Sequence, residues 1–208
     1  DSSEASQTFE HVLLQFPNTD LWHEAQVWMA RIEIINNDFL AANDRLRIIS
    51  SNRKYPTNKY FTHLLESTWA EFYARQGNYT QALPHLYRAL DNAPDRHHRI
   101  RYTYLLAQIN QDQGKYAEAH RLYRRVVRMN PPYEMNFNAR VNLAATGIGD
   151  GRGSDMKRQL LRMARDEKNQ DYLDQLYYAL GSIEQAEGNM EQAIEYYKLS
   201  ARRFVQNN

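Results

Sequence analysis

Two runs of basic side chains are the most chemically suggestive feature of this 208-residue chain. Arg96, His97, His98, Arg99 and Arg101 form one, and Arg121, Arg124, Arg125 and Arg128 the other, with only Asp95, Asp112 and Glu118 opposing them locally. Clustered guanidinium groups attract anions. They read either as a solvated helix face or as a docking patch for an acidic partner or lipid head groups. His97 and His98 are a poor metal pair, because adjacent residues point to different sides of a helix. The run Gly147-Ile148-Gly149-Asp150-Gly151-Arg152-Gly153 holds four of the eight glycines. A phosphate-cradling loop needs a strand before it and a helix N-terminus after it. A helix over Arg140 to Thr146 is expected to precede it instead, so the run reads as a helix–helix turn, with a mobile hinge as the functional alternative.

His11, His23, His63, His85 and His120 are scattered, and there is no His-Glu-x-x-His, Gly-x-Ser-x-Gly or Walker pattern. Asp171 and Asp174 read as carboxylates that cap or solvate a helix. No catalytic residue, metal ligand or cofactor site is assigned, and no enzymatic activity or cofactor is expected. With 26 basic against 25 acidic side chains the net charge is +1, which argues against a dedicated nucleic-acid binder. The chain has no cysteine, which excludes disulfides and thiolate metal sites. No apolar run approaches the ~20 residues needed to span a bilayer.

The elements that position these groups come from a repeat. Gly77-Asn78-Tyr79-Thr80-Gln81-Ala82 recurs as Gly114-Lys115-Tyr116-Ala117-Glu118-Ala119 and as Gly188-Asn189-Met190-Glu191-Gln192-Ala193. Gly114 follows Gly77 by 37 residues, and Gly188 follows Gly114 by 74, twice that period. A fixed period of this length signals an array of one supersecondary unit. Leu64, Leu65, Trp69, Ala70, Phe72 and Tyr73 before Gly77, and Ala82, Leu86, Ala89 and Leu90 after it, recur at helical spacing. Gly77 ends the first helix by taking positive φ, Asn78 caps the second, and Pro94 closes the unit. Ala70, Ala82 and Ala89 are small where two helices cross.

The pattern resembles the tetratricopeptide repeat, a helix pair of ~34 residues. The expected fold is an all-α, right-handed superhelical solenoid of antiparallel helix pairs. The expected boundaries are an orphan helix over about 2–16 (Ala5, Phe9 and Val12, then Pro17), then pairs over about 20–55, 58–94, 97–130, 133–169 and 171–206. Asn37 replaces the turn glycine in the first pair. Met156 stands where alanine is usual in the fourth, so that pair is expected to splay. The half repeat at the start implies a fragment of a longer protein.

Asn130-Pro131-Pro132-Tyr133-Glu134-Met135 reads on its own as an inter-repeat turn. Together with the stretch from Gly114 through Tyr123 and the following Phe137-Asn138-Ala139-Arg140, it is similar to the PorW/SprE family. These are tetratricopeptide lipoproteins of the Bacteroidetes type IX secretion and gliding machinery. The resemblance implies a protein-transport scaffold on the periplasmic side of the outer membrane. It would link the translocon to ring or motor components, with membrane attachment only through an N-terminal lipid that this stretch lacks. A general tetratricopeptide adaptor outside secretion is the alternative.

In tetratricopeptide arrays the first helix of each pair lines the groove. That projection selects Arg31, Glu71, Arg101, Tyr104, Gln108, Asn138 and Tyr178, with Arg121, Arg124 and Arg125 added from the basic run, as candidate partner-binding residues. Tyr104 and Tyr178 read equally well as core. The Lys and Asn of chaperone-tail clamps are replaced by Val27 and Arg31, Ser67 and Glu71, and Tyr104 and Gln108, which disfavours that ligand.

Overall fold

A computed structural model describes residues 2–52, 56–147 and 153–207. The described residues form α-helices with no strand: α1 (Ser2–Gln15), α2 (Asp20–Ile35), α3 (Phe39–Ser51), α4 (Lys59–Arg75), α5 (Tyr79–Asp91), α6 (Arg96–Asp112), α7 (Tyr116–Arg128), α8 (Tyr133–Thr146), α9 (Gly153–Arg165), α10 (Leu173–Ala186) and α11 (Met190–Asn207). A 3-10 turn, Glu167–Tyr172, precedes α10. The periodicity did not anticipate it, and it removes Asp171 from the helix that carries Asp174.

One local device builds four of the helix corners. Gly77, Gly114 and Gly188 have φ of +70°, +71° and +82°, and Asn37 takes the same role at +62°. The residue after each one donates its N–H five residues back, Asn78 to Tyr73 (2.9 Å), Lys115 to Asn110 (2.8 Å), Asn189 to Glu184 (2.9 Å) and Asp38 to Glu33 (2.9 Å). This is the Schellman closure, which satisfies carbonyls left over at a helix end. The same residue then starts the next helix: the side chains of Asp38 and Asn78 accept from the N–H groups of Ala41 (3.1 Å) and Gln81 (3.3 Å). One residue thus closes one helix and caps the next, which is why the corners are so short.

The chain divides within α6 into two compact units, residues 1–102 and 103–208. In the first, α2 packs on α3 and α4 on α5 around Val27, Ala30, Ile34, Leu46, Ile49, Phe61, Leu64 and Trp69. Ala70, Ala82 and Ala89 are buried, as their spacing predicts. The leading helix α1 lies on α2, with Phe9 stacked over Trp28 at 6.3 Å. Pro84 lies inside α5 and is exposed, so the carbonyl of Thr80 loses its in-helix donor toward solvent.

In the second unit the core is Phe137, Ala144, Leu160, Leu173, Leu176, Leu180 and Ile183. At the crossing of α10 and α11, a Cβ on Gly181 would come within 2.7 Å of the Tyr197 ring, so only hydrogen fits there. The α8–α9 pair packs much less extensively than α10–α11. At the end of α8, the Met156 methyl and the His120 ring occupy the space that a Cβ on Gly147 would need. Of the glycine-rich run, Gly147 ends α8 and Gly153 opens α9. The phosphate-loop and hinge readings of positions 148–152, and the turn role of Gly151, lie outside the described residues.

Candidate functional site

The repeat brings together side chains one period apart. Arg31 on α2 and Glu71 on α4, 40 residues apart, form an ion pair at 3.5 Å. The Arg31 guanidinium also lies 5.1 Å from the Trp28 ring centroid, and Glu71 takes a second partner in Arg75 at 3.3 Å. Both acid and base stay about a quarter exposed, so the pair is a surface feature with an aromatic back wall. Pairs of this kind contribute little stability and remain open to exchange with a ligand's charges.

Behind this pair is a polar cluster that sequence reasoning missed. The Tyr102 hydroxyl lies 2.8 Å from Nδ1 of His63, and both residues are buried. The His98 ring lies 4.9 Å from that of His63, and Asp95 holds His98 Nδ1 at 2.9 Å. Burial, assisted by the neighbouring His98 and Arg31 charges, pushes His63 down to about 4. It therefore stands neutral, its Nδ1 sharing a hydrogen bond with the tyrosine hydroxyl. Burial likewise pushes the Tyr102 phenol up. The available signal was that His63 and Tyr102, 39 residues apart, lie on the first helices of successive pairs. His97 and His98 diverge: His97 is exposed, whereas His98 turns toward His63.

In the second unit, Tyr104 is half-buried, with its ring 5.8 Å from the wholly buried Tyr123 and its hydroxyl bonded to Asn142. Burial raises both phenols, Tyr123 most strongly. Tyr123 donates to Gln111 at 2.7 Å. Gln108 on α6 and Asn138 on α8 are half-buried, whereas Arg101, on the part of α6 that belongs to the first unit, is exposed. Tyr178 is 61% exposed, with the Tyr197 ring at 5.5 Å, so it is a surface residue. In the basic run, Arg121 is paired with Glu118 (2.9 Å) and Arg124 donates to Nε2 of His120 (2.7 Å), whereas Arg125 is exposed. Asp171 is exposed, and Asp174 has one carboxylate oxygen enclosed without a hydrogen-bond partner.

The segment that carries the family resemblance is a packing element. Pro131 is buried, Asn130 takes φ +44°, Phe137 enters the core, and Tyr133 donates to Oδ1 of Asn169.

Tetratricopeptide-repeat family models match residues 61–131 and 174–203. No curated protein matches the chain closely enough to count as a relative. Among solved structures, BtubC (BKLC) from P. vanneervenii is 18% identical, with a TM-score of 0.68, covering 99% of this chain and 89% of its own. MamA AMB-1 is 17% identical, with a TM-score of 0.63, covering 88% of this chain and 92% of its own. At these identities the likeness is one of fold. The chain carries tetratricopeptide repeats at residues 61–131 and 174–203, and its fold is the all-α array of helix pairs that tetratricopeptide-repeat proteins share.

Proposed function

We propose that this protein is a non-enzymatic scaffold of type IX secretion. It would sit on the periplasmic side of the outer membrane and link the translocon to ring or motor components. The observation that carries the binding role is the set of polar and aromatic side chains on the first helices: the Arg31–Glu71 pair over Trp28 in one unit, and Tyr104, Gln108 and Asn138 in the other. Between them the two sets offer paired charges in one unit, amide groups in the other and ring surfaces in both, the mixture that protein interfaces use. The secretion context rests on the resemblance of residues 130–140 to the PorW/SprE family. The generality of the repeat matches favours a second reading, an adaptor for a peptide or protein outside secretion.

Affinity capture from an extract of the source organism, with this chain as bait, separates the two. Recovery of outer-membrane translocon or periplasmic ring proteins, reduced by Arg31→Glu, is the expected result. Recovery of chaperones or cytosolic complexes alone would sink the secretion reading.

A further inference from the structure

A second surface of the 103–208 unit is built for anions. A cleft of about 440 Å³ is walled by Arg140 of α8 and by Arg158 and Arg162 of α9. It shares Arg140, Asp155 and Gln159 with an adjoining recess of about 150 Å³, whose walls include Arg124, Leu143, Met156 and Leu160.

Its charge is strongly one-sided. Four guanidinium groups, Arg124, Arg140, Arg158 and Arg162, meet one carboxylate, Asp155, which bonds Arg158 at 3.3 Å. Arg124 and Arg140 direct their hydrogen bonds to neutral acceptors, His120 Nε2 (2.7 Å) and the Asn136 carboxamide (2.6 Å). The Nδ1–H of His120 donates to the carbonyl of Leu143 (3.0 Å), which fixes the tautomer whose Nε2 accepts from Arg124. Neither partner neutralises a guanidinium, so the cleft keeps its positive field. Arginine forks suit carboxylates, and a concave wall concentrates their field.

The recess beside the arginines joins the charged walls of Arg124, Arg140 and Asp155 to an apolar side formed by Leu143, Met156 and Leu160. A bare phosphate would leave it empty, and a flat membrane surface would not enter a concave site. We propose that the cleft binds a short acidic segment of a partner protein, with Asp or Glu carboxylates on Arg140, Arg158 and Arg162 and an adjacent apolar side chain in the recess. The proposal rests on the protein-binding reading above but uses a different face. Arg140 and Asn138 are two residues apart on α8, which places them about 200° apart around the helix.

The test is fluorescence anisotropy of the full chain with a dye-labelled peptide of alternating Glu and Leu, about ten residues long, in about 50 mM salt, where screening is modest. Arg158→Gln with Arg162→Gln, both on exposed positions of α9, is expected to weaken binding at least about tenfold, equivalent to about 1.4 kcal/mol. Arg47→Gln with Arg202→Gln removes the same charge elsewhere and is expected to leave affinity within about twofold. Equal losses from both pairs, no binding by the unmodified chain, or equally tight binding of a Lys–Leu peptide would overturn the proposal. Displacement by inorganic phosphate at the peptide's own concentration would reduce the cleft to a simple anion site. Binding to phosphatidylglycerol vesicles that the α9 variant abolishes would assign it to lipid. Unchanged partner capture by the α9 variant, with no peptide binding, would remove the cleft and leave the scaffold reading intact. Peptide binding with no secretion partners captured would do the reverse.

Discussion

His63 should make this protein lose stability in mild acid. Its ring is buried against Tyr102 and its affinity for a proton is pushed down to about 4. In the unfolded chain it returns to the ordinary 6.5. Between pH 6.5 and 4 the unfolded state therefore binds a proton that the native state does not. Stability is fully present above about 6.5, falls as pH drops through that window, and levels off below about 4. The linkage integral over pH 7 to pH 5 gives a loss of about 2 kcal/mol, and carried down to pH 4 it reaches about 3 kcal/mol.

The assay is urea unfolding of the wild type and of His63→Gln at pH 7 and pH 5. Glutamine keeps an acceptor for the Tyr102 hydroxyl but cannot titrate. The difference between the two proteins isolates His63 from Asp95 and Glu24, whose carboxyl groups shift in opposite directions. The wild type should lose about 2 kcal/mol more than the variant on acidification. Parallel losses, or an NMR titration of His63 centred near its unfolded value, would refute the buried neutral imidazole.

Two packing substitutions test the repeat itself. Gly181→Ala drives a Cβ to within 2.7 Å of the Tyr197 ring, whose hydroxyl donates to Gln185 at 2.7 Å. It should cost about 1–2 kcal/mol despite alanine's better helix propensity. In a Tyr197→Ala background it should stabilise instead, and the same sign in both backgrounds would show that the α10–α11 contact is not tight. Pro84→Ala restores the donor to the Thr80 carbonyl within α5. It should raise unfolding stability by roughly 1–3 kcal/mol, and no change in the urea midpoint would mean that the proline bend serves the α4–α5 packing. Charge reversal at Arg121, Arg124 and Arg125 together should weaken capture of an acidic partner at low salt, and unchanged capture would leave that run a solvated helix face.

The all-α repeat character of this chain was legible because it is encoded locally. Gly77, Gly114 and Gly188 occupy positive φ at corners that recur at one spacing, and asparagine at position 37 does the same work because its short polar side chain tolerates that conformation. Buried alanines at the crossings followed from the 3.6-residue period of each helix.

What each polar side chain does was decided by tertiary structure, because it depends on neighbours one repeat away. Nothing local to His63 distinguishes it from the exposed His11; burial makes it a neutral imidazole, hydrogen-bonded to Tyr102, 39 residues on. Arg31 and Glu71 were separate groove candidates until the stacking of α2 on α4 paired them. Tyr104 and Tyr178 share a tyrosine's ambiguity, and only packing buried one by half and left the other exposed. The arginines of α8 and α9 stood in no sequence cluster. They share one cleft because α8 and α9 lie side by side, and which helices become neighbours is a property that a linear pattern does not carry.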